Sequence, residues 1–121
     1  MKKKLPLSGI TVLDLTNVLS GPYATLILSD LGASIIKVEK PNGDDSRKYG
    51  PFIDKKSCYF LSLNRGKKSI LLDLKKKEDK KIFEKILSNS DVLMENYRPG
   101  TLKSLGYSWS RLKKDYPKLI Y

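Results

Sequence analysis

Residues 10–38 constrain the fold more than any other stretch of the chain. ITVLDL, at 10–15, is a run of β-branched and apolar residues with the composition of a buried strand. TNVLSGP, at 16–22, follows as a loop, and Pro22 behind Gly21 suits the first turn of a helix. Ala24, Ile27, Leu28 and Leu31 then recur at helical spacing, and Gly32 supplies a stop. SIIKV, at 34–38, is a second strand. Strand, helix and strand in so short a span make a compact β-α-β unit of the doubly wound kind.

The remaining segments extend that unit. SILLDL, at 69–74, predicts a third strand. A helix follows near 76–88, with Ile82, Ile86 and Leu87 on one face and lysines opposite. The short apolar run Val92, Leu93 and Met94 predicts a fourth strand over 91–95, covered on both faces. Pro99 and Gly100 break the chain after it, and Thr101 suits the N-cap of a short helix that ends at Gly106. A further helix over 108–116 turns Leu112 inward and stops at Pro117. Residues 57–64 fit a short helix or a strand. Residues 40–56, rich in Pro, Gly, Asn and Asp, read as a long surface loop and as the least regular segment. The expected fold class is therefore α/β, with a mostly parallel, Rossmann-like sheet flanked by helices. The strand-like run at 119–121 is where the sequence stops, the pattern expected of a fragment of a longer protein.

The chain has 121 residues, enough for one ordinary domain. Its 24 Lys and Arg against 13 Asp and Glu give a formal charge of +11. Such an excess favours an anionic partner: nucleic acid, an anionic membrane or a phosphate-bearing small molecule. Lysines cluster at 2–4, 75–77, 80 and 81, as on a solvated surface. The single Cys58 excludes an intrachain disulfide, fits a reducing compartment and gives no metal-ligand spacing. With no histidine, His-based acid–base catalysis and His-ligated metal are excluded within these residues. No apolar run approaches the roughly 20 residues of a membrane span, and the basic residues 1–4 lead into a strand pattern, not a signal-peptide core.

In an open α/β sheet, ligands bind outside the carboxyl ends of the strands. Lys40, Lys75 and Arg98 all follow strands, so three cations are expected at one crevice. Tyr97 would be an aromatic surface there and Asn96 an amide, a set suited to a flat ring and phosphates. The competing reading of Asn96, Tyr97 and Arg98 is a polar loop that only turns the chain. The start of the first helix could hold an anion on its free N–H groups, or SGP could be a helix start chosen for geometry. Asp14 reads as a strand-end cap. GxGxxG and GxxxxGK[ST] are both absent, and no catalytic triad or carboxylate pair can be assembled.

Four motifs in order carry a resemblance to a known family: LSGITVLDLTNVLSGPYATLILSDLGASIIKVEKP, YFLSLNRGKKSILLDL, DVLMENYRPGTLKSLGYSW and PKLIY. Together they resemble the amino-terminal part of the class III coenzyme A transferases, a family that includes formyl-CoA and carnitine CoA-transferases and, as a close relative, α-methylacyl-CoA racemase. The resemblance implies that residues 1–121 are the amino-terminal part of a large CoA-binding domain in a longer, cytoplasmic, interlocked homodimer. It implies transfer of CoA from an acyl-CoA to a carboxylate through an aspartyl-CoA intermediate, with the nucleophilic Asp downstream of Tyr121 and no catalytic residue before it. No metal or permanently bound cofactor is implied; the CoA thioester is substrate. Val18 and Leu19 match a loop at the pantetheine end, and Lys40 a basic position near the nucleotide. Leu72, Asp73, Leu74 and Lys75 match a stretch at the adenine and ribose, and Asn96, Tyr97 and Arg98 a strand-end loop on CoA. Two departures stand out. Leu19 replaces the Gln of formyl-CoA transferase, and Ser104 replaces its phosphate-binding Arg, with Lys103 a point charge rather than a fork. A racemase of the same family is the nearest alternative. A small basic nucleic-acid-binding module is a more distant one, disfavoured because the lysines lie on helices rather than between exposed aromatics; neither nucleic acid nor membrane is an expected partner.

Overall fold

The computed structural model describes residues 4–121, so Lys2 and Lys3 of the basic amino-terminal cluster lie outside the described residues. Four parallel strands form the sheet: β1 (Thr11–Asp14), β2 (Ser34–Glu39), β5 (Lys68–Leu71) and β6 (Val92–Met94), in the spatial order β5-β2-β1-β6. Between them run β3 (Phe52–Ile53) and β4 (Lys56–Ser57), an antiparallel pair. The helices are α1 (Ser20–Asp30), α2 (Cys58–Asn64), α3 (Lys77–Leu87), α4 (Thr101–Ser104) and α5 (Trp109–Asp115). The expected parallel α/β architecture is present, and the open 57–64 segment is the helix α2, capped by Ser57 Oγ on Phe60 N.

Strand register sets the two faces. Leu13 pairs with Ile36 and Leu93, and Val38 with Ile70. This face packs on Phe83 and Leu87 of α3, Leu102 of α4, Tyr107 and Leu112 in one apolar cluster. Phe83 and Tyr107 meet edge to face at 4.9 Å. On the other face Val12 pairs with Ile35 and packs with Ala33 and Leu28 beneath α1. One row further along, Asp14 pairs with Lys37, and Lys37 with Ser69. Here the apolar pattern stops and buried charge begins.

Several boundaries differ from the sequence reading. The third strand ends at Leu71, not 74: Leu72 and Leu74 turn into the core, and Asp73 N donates to Asp79 Oδ2 at 2.7 Å to start the next turn. In α3 the buried stripe is Phe83, Ile86 and Leu87, while Ile82 faces solvent. Thr101 is the first residue of α4 and not its cap; Gly100, at φ 85°, takes the cap position. α1 starts at Ser20, two residues before Pro22. The 40–56 segment is more regular than expected. It holds a 3-10 turn (Asp45–Lys48) and the β3–β4 pair, anchored by buried Asp44, Ser46 and Ser57. The strand-like run at 119–121 contributes a single parallel bridge, Ile120 to Val92.

Candidate functional site

All four sheet strands run the same way, so their carboxyl ends share one edge. Above β2 and β5 lies a crevice of about 150 Å³. Its walls are Val38, Leu72, Leu74, Tyr97 and Leu105, with Lys40, Asp73 and Lys75 around them. Six of the expected ligand residues thus come together: Lys40, Leu72, Asp73, Leu74, Lys75 and Tyr97. Leu72 and Leu74 are there because the chain turns inward after β5, held by Leu72 N on Glu39 O at 2.9 Å. Tyr97 is placed by Glu95, whose carboxylate accepts from Tyr97 N at 2.6 Å. Burial pushes the Tyr97 phenol above its ordinary pKa, so it stays protonated and able to donate. Lys40 Nζ donates to Asp45 Oδ1 at 2.7 Å on the exposed rim. Lys75 is exposed, and among the described residues its ammonium has no ion-pair partner.

The other expected residues do not line this crevice. Arg98 is exposed beyond it, its carbonyl accepting from Thr101 N. Asn96 turns toward β1, where its amide binds Asn17 twice: Asn17 N to Oδ1 at 2.8 Å and Nδ2 to Asn17 O at 2.9 Å. This clasp joins the ends of β1 and β6, where the sheet order reverses. A ligand crevice is expected at such a reversal; here the opening lies one strand away. Val18 and Leu19 sit in the β1–α1 turn, Val18 at φ 68° and Leu19 at the N-cap of α1 with its side chain half exposed.

Behind the edge runs a buried polar chain that the sequence reading did not contain. Asp14 accepts from Thr16 N at 2.8 Å, as a strand-end cap should, but also from Thr25 Oγ1 at 2.6 Å and Lys67 Nζ at 3.3 Å. Lys67 donates further to Pro22 O, Thr25 Oγ1 and Asn64 Oδ1. Lys37 Nζ donates to Thr16 O at 2.6 Å and lies 2.9 Å from Asp44 Oδ2, a charge contact without an aligned hydrogen bond to that oxygen. Arg47 meets Glu39 through two nitrogens, at 2.6 and 2.7 Å, and stacks on Phe60 at 3.7 Å. Ser46 O accepts from Ser57 Oγ at 2.9 Å and closes the chain on α2. The one signal for this network was alternation: Lys37 and Glu39 share a face with buried Ile35. Gly21 fits the same packing, since a Cβ there would collide with Thr16.

Among the described residues no cluster of three or more His, Cys, Asp or Glu could hold a metal, and no helix is long and apolar enough to cross a membrane. A family model described as CoA-transferase family III matches residues 7–121. An acetyl-CoA:oxalate CoA-transferase of Acetobacter aceti is 50% identical over 121 residues, covering 99% of this chain and 31% of that protein. A succinyl-CoA:glutarate CoA-transferase of Homo sapiens is 47% identical, covering 96% and 27%. The crystal structure of a CAIB/BAIF family protein from Brucella suis superposes with a TM-score of 0.91 at 38% identity, covering 98% of this chain and 33% of that one. The chain spans just under a third of the length of the curated relatives it matches. The chain belongs to CoA-transferase family III.

Proposed function

We propose that residues 1–121 form the amino-terminal part of the CoA-binding domain of an enzyme that moves CoA from an acyl-CoA to a carboxylic acid. The observation that carries this reading is the crevice itself: an apolar slot beside Tyr97 with Lys40 and Lys75 around it. Complete sites for drug-sized ligands enclose roughly 300–1,000 Å³. A slot of about 150 Å³ suits one ring and leaves phosphates outside, at the two ammonium groups. Leu72, Leu74 and Tyr97 take the adenine in this reading, Asp73 the ribose, and Lys40 and Lys75 the phosphates. Lys40 exchanges Asp45 for phosphate. Arg98 and Asn96 stand outside the slot, along the path toward Val18 and Leu19, which meet the pantetheine end.

The chemistry belongs to the longer polypeptide. An aspartate downstream of Tyr121 attacks the thioester carbonyl and CoA thiolate leaves, giving a mixed anhydride. The thiolate then attacks the aspartyl carbonyl, and the donor acid departs from an aspartyl-CoA thioester. The acceptor carboxylate reverses these steps to leave as the new acyl-CoA. The protein is an interlocked homodimer in the cytoplasm, and this segment alone does not catalyse transfer. The test is CoA affinity in the full-length polypeptide. Lys40→Ala and Lys75→Ala each weaken CoA binding, by about 1.5–3 kcal/mol where the bond to phosphate is shielded from water and less where it is exposed. Arg98→Ala shows whether the strand-end loop shares the load. Unchanged affinity in all three variants would overturn the site.

A further inference from the structure

The turn between β1 and α1 is held by side chains from elsewhere in the chain. Thr16 O accepts from Lys37 Nζ at 2.6 Å. Both backbone groups of Asn17 are bonded to the Asn96 amide. Val18 N points at Asp44 Oδ1, 3.4 Å away. Lys37 and Asp44 are themselves an ion pair at 2.9 Å, their side chains 1% and 0% exposed. Two of these contacts end on buried side chains, Lys37 of β2 and Asp44 of the segment after it; the other two end on Asn96, in the exposed loop after β6.

Val18, in the middle of this turn, has φ 68°. That left-handed region crowds a β-branched side chain, and a residue stays in it only where its surroundings over-determine the backbone. Glycine or asparagine would be the ordinary choice. The clamp supplies the over-determination. Burying a charge pair to do so is expensive, because both ions leave water and their attraction only partly repays it. An apolar pair would fill the same space without holding a carbonyl and an amide.

We infer that Lys37 and Asp44 are positioning residues: they hold the turn with Val18 left-handed, so that Val18 and Leu19 present a fixed surface to the thioester end of bound acyl-CoA. Both side chains are buried, so they act through the turn rather than on the ligand. The functional half of this rests on the CoA-transferase reading above.

The test uses the full-length polypeptide carrying Lys37→Met with Asp44→Asn, a pair that leaves no uncompensated buried charge. Amide hydrogen exchange reads the clamp directly. The amides of Asn17 and Val18, the two in the turn that have partners, exchange at least tenfold faster in the double variant, while those of Leu13 and Leu93 keep their protection. Unchanged exchange at both overturns the inference. Steady-state CoA transfer reads the consequence, with acetyl-CoA and oxalate, the pair named for the Acetobacter aceti relative, as probe donor and acceptor. A misplaced reacting end lowers kcat at least tenfold with KM for acetyl-CoA within twofold, because affinity resides at the distant slot. A raised KM with kcat preserved, or no change, also overturns it. If the wild type neither binds CoA nor transfers it, the CoA-transferase reading fails, and the exchange measurement alone decides the clamp. If the double variant does not fold, Val18→Gly decides instead. Relief of imposed strain raises Tm; a Tm no higher than that of the wild type means that Val18 stores no strain for the clamp to hold, and the inference falls.

Discussion

On one face of the sheet, Leu13, Ile36, Val38, Ile70 and Leu93 meet α3, α4 and α5 with no polar side chain among them. On the other, Asp14, Lys37, Glu39 and Ser69 stand where the apolar run beneath α1 would continue toward the carboxyl edge. The strands are the same; only the alternate residues differ. The apolar face is stabilised by non-directional burial, so it tolerates changes that keep volume. The charged face depends on completeness. Each ion there has a counter-ion, and removal of one partner leaves another charge without water or a mate.

The largest expected effects separate these two kinds of order. Asp14→Ala strands Lys67 and costs about 3–5 kcal/mol; Lys67→Met added to it returns part of that loss. Phe83→Ala on the apolar face costs a similar ~3–5 kcal/mol, but a second truncation, Leu112→Ala, deepens the loss. Midpoints of denaturant unfolding read both pairs. If the second change on the charged face deepens the loss as it does among the apolar residues, the contrast fails.

Acid is the next test. Burial alone would raise the Glu39 and Asp44 carboxyls. Arg47, Ser69 and the Asp44 amide on Glu39, and Ser46 and Lys37 on Asp44, outweigh it and hold both below their ordinary values. The folded state therefore binds fewer protons than the unfolded chain. This stability is full above the ordinary values of 4.5 and 3.8 and is lost as pH falls through the depressed folded values. Tm should drop on acidification through that window, and Glu39→Gln should flatten the drop. Burial lowers the Lys67 ammonium, despite Asp14, so at the alkaline end stability rises as pH climbs toward its ordinary 10.5. A Tm that is flat below pH 4.5 would show that these carboxylates do not matter to the fold.

The smallest effect compares one chemical change in two places. Ser108 caps α5, accepting from Arg111 N at 3.3 Å, and Ser108→Ala should cost ~1 kcal/mol in thermal or denaturant unfolding. Ser57 caps α2 and also shares its one O–H between the carbonyls of Ser46 and Tyr49, so Ser57→Ala should cost more. Equal losses would mean that the polar chain ends before it reaches α2.

The apolar face was legible in the sequence because its periods are plain: ITVLDL, SIIKV and VLM alternate or run apolar between breakers. The crevice was half legible. Parallel strand ends bring Lys40, Lys75 and Tyr97 together by topology alone, but strand position says nothing of which way a side chain turns, and Asn96 turned to Asn17. Lys37 was marked only by its place on the Ile35 face and Asp44 not at all, since lysine and aspartate are among the residues least often fully buried. The turn they hold lies more than twenty residues upstream, out of reach of any local pattern. Val18 was picked out by resemblance; its left-handed backbone has no mark in its residue type, which argues against it.

The three ion pairs of the charged face also shape what a molecule meets at a distance. Asp14 with Lys67, Lys37 with Asp44 and Glu39 with Arg47 each balance one positive charge by one negative. Together they leave the formal excess of +11 untouched. That excess is borne by the rest of the chain, lysines 75–77, 80, 81 and 85 around α3 among them. The field reaches about 10 Å into 0.1 M salt and some three times as far at 0.01 M. A multiply charged anion is drawn in before it touches any residue, so its arrival is hastened in dilute buffer and slows as salt is added.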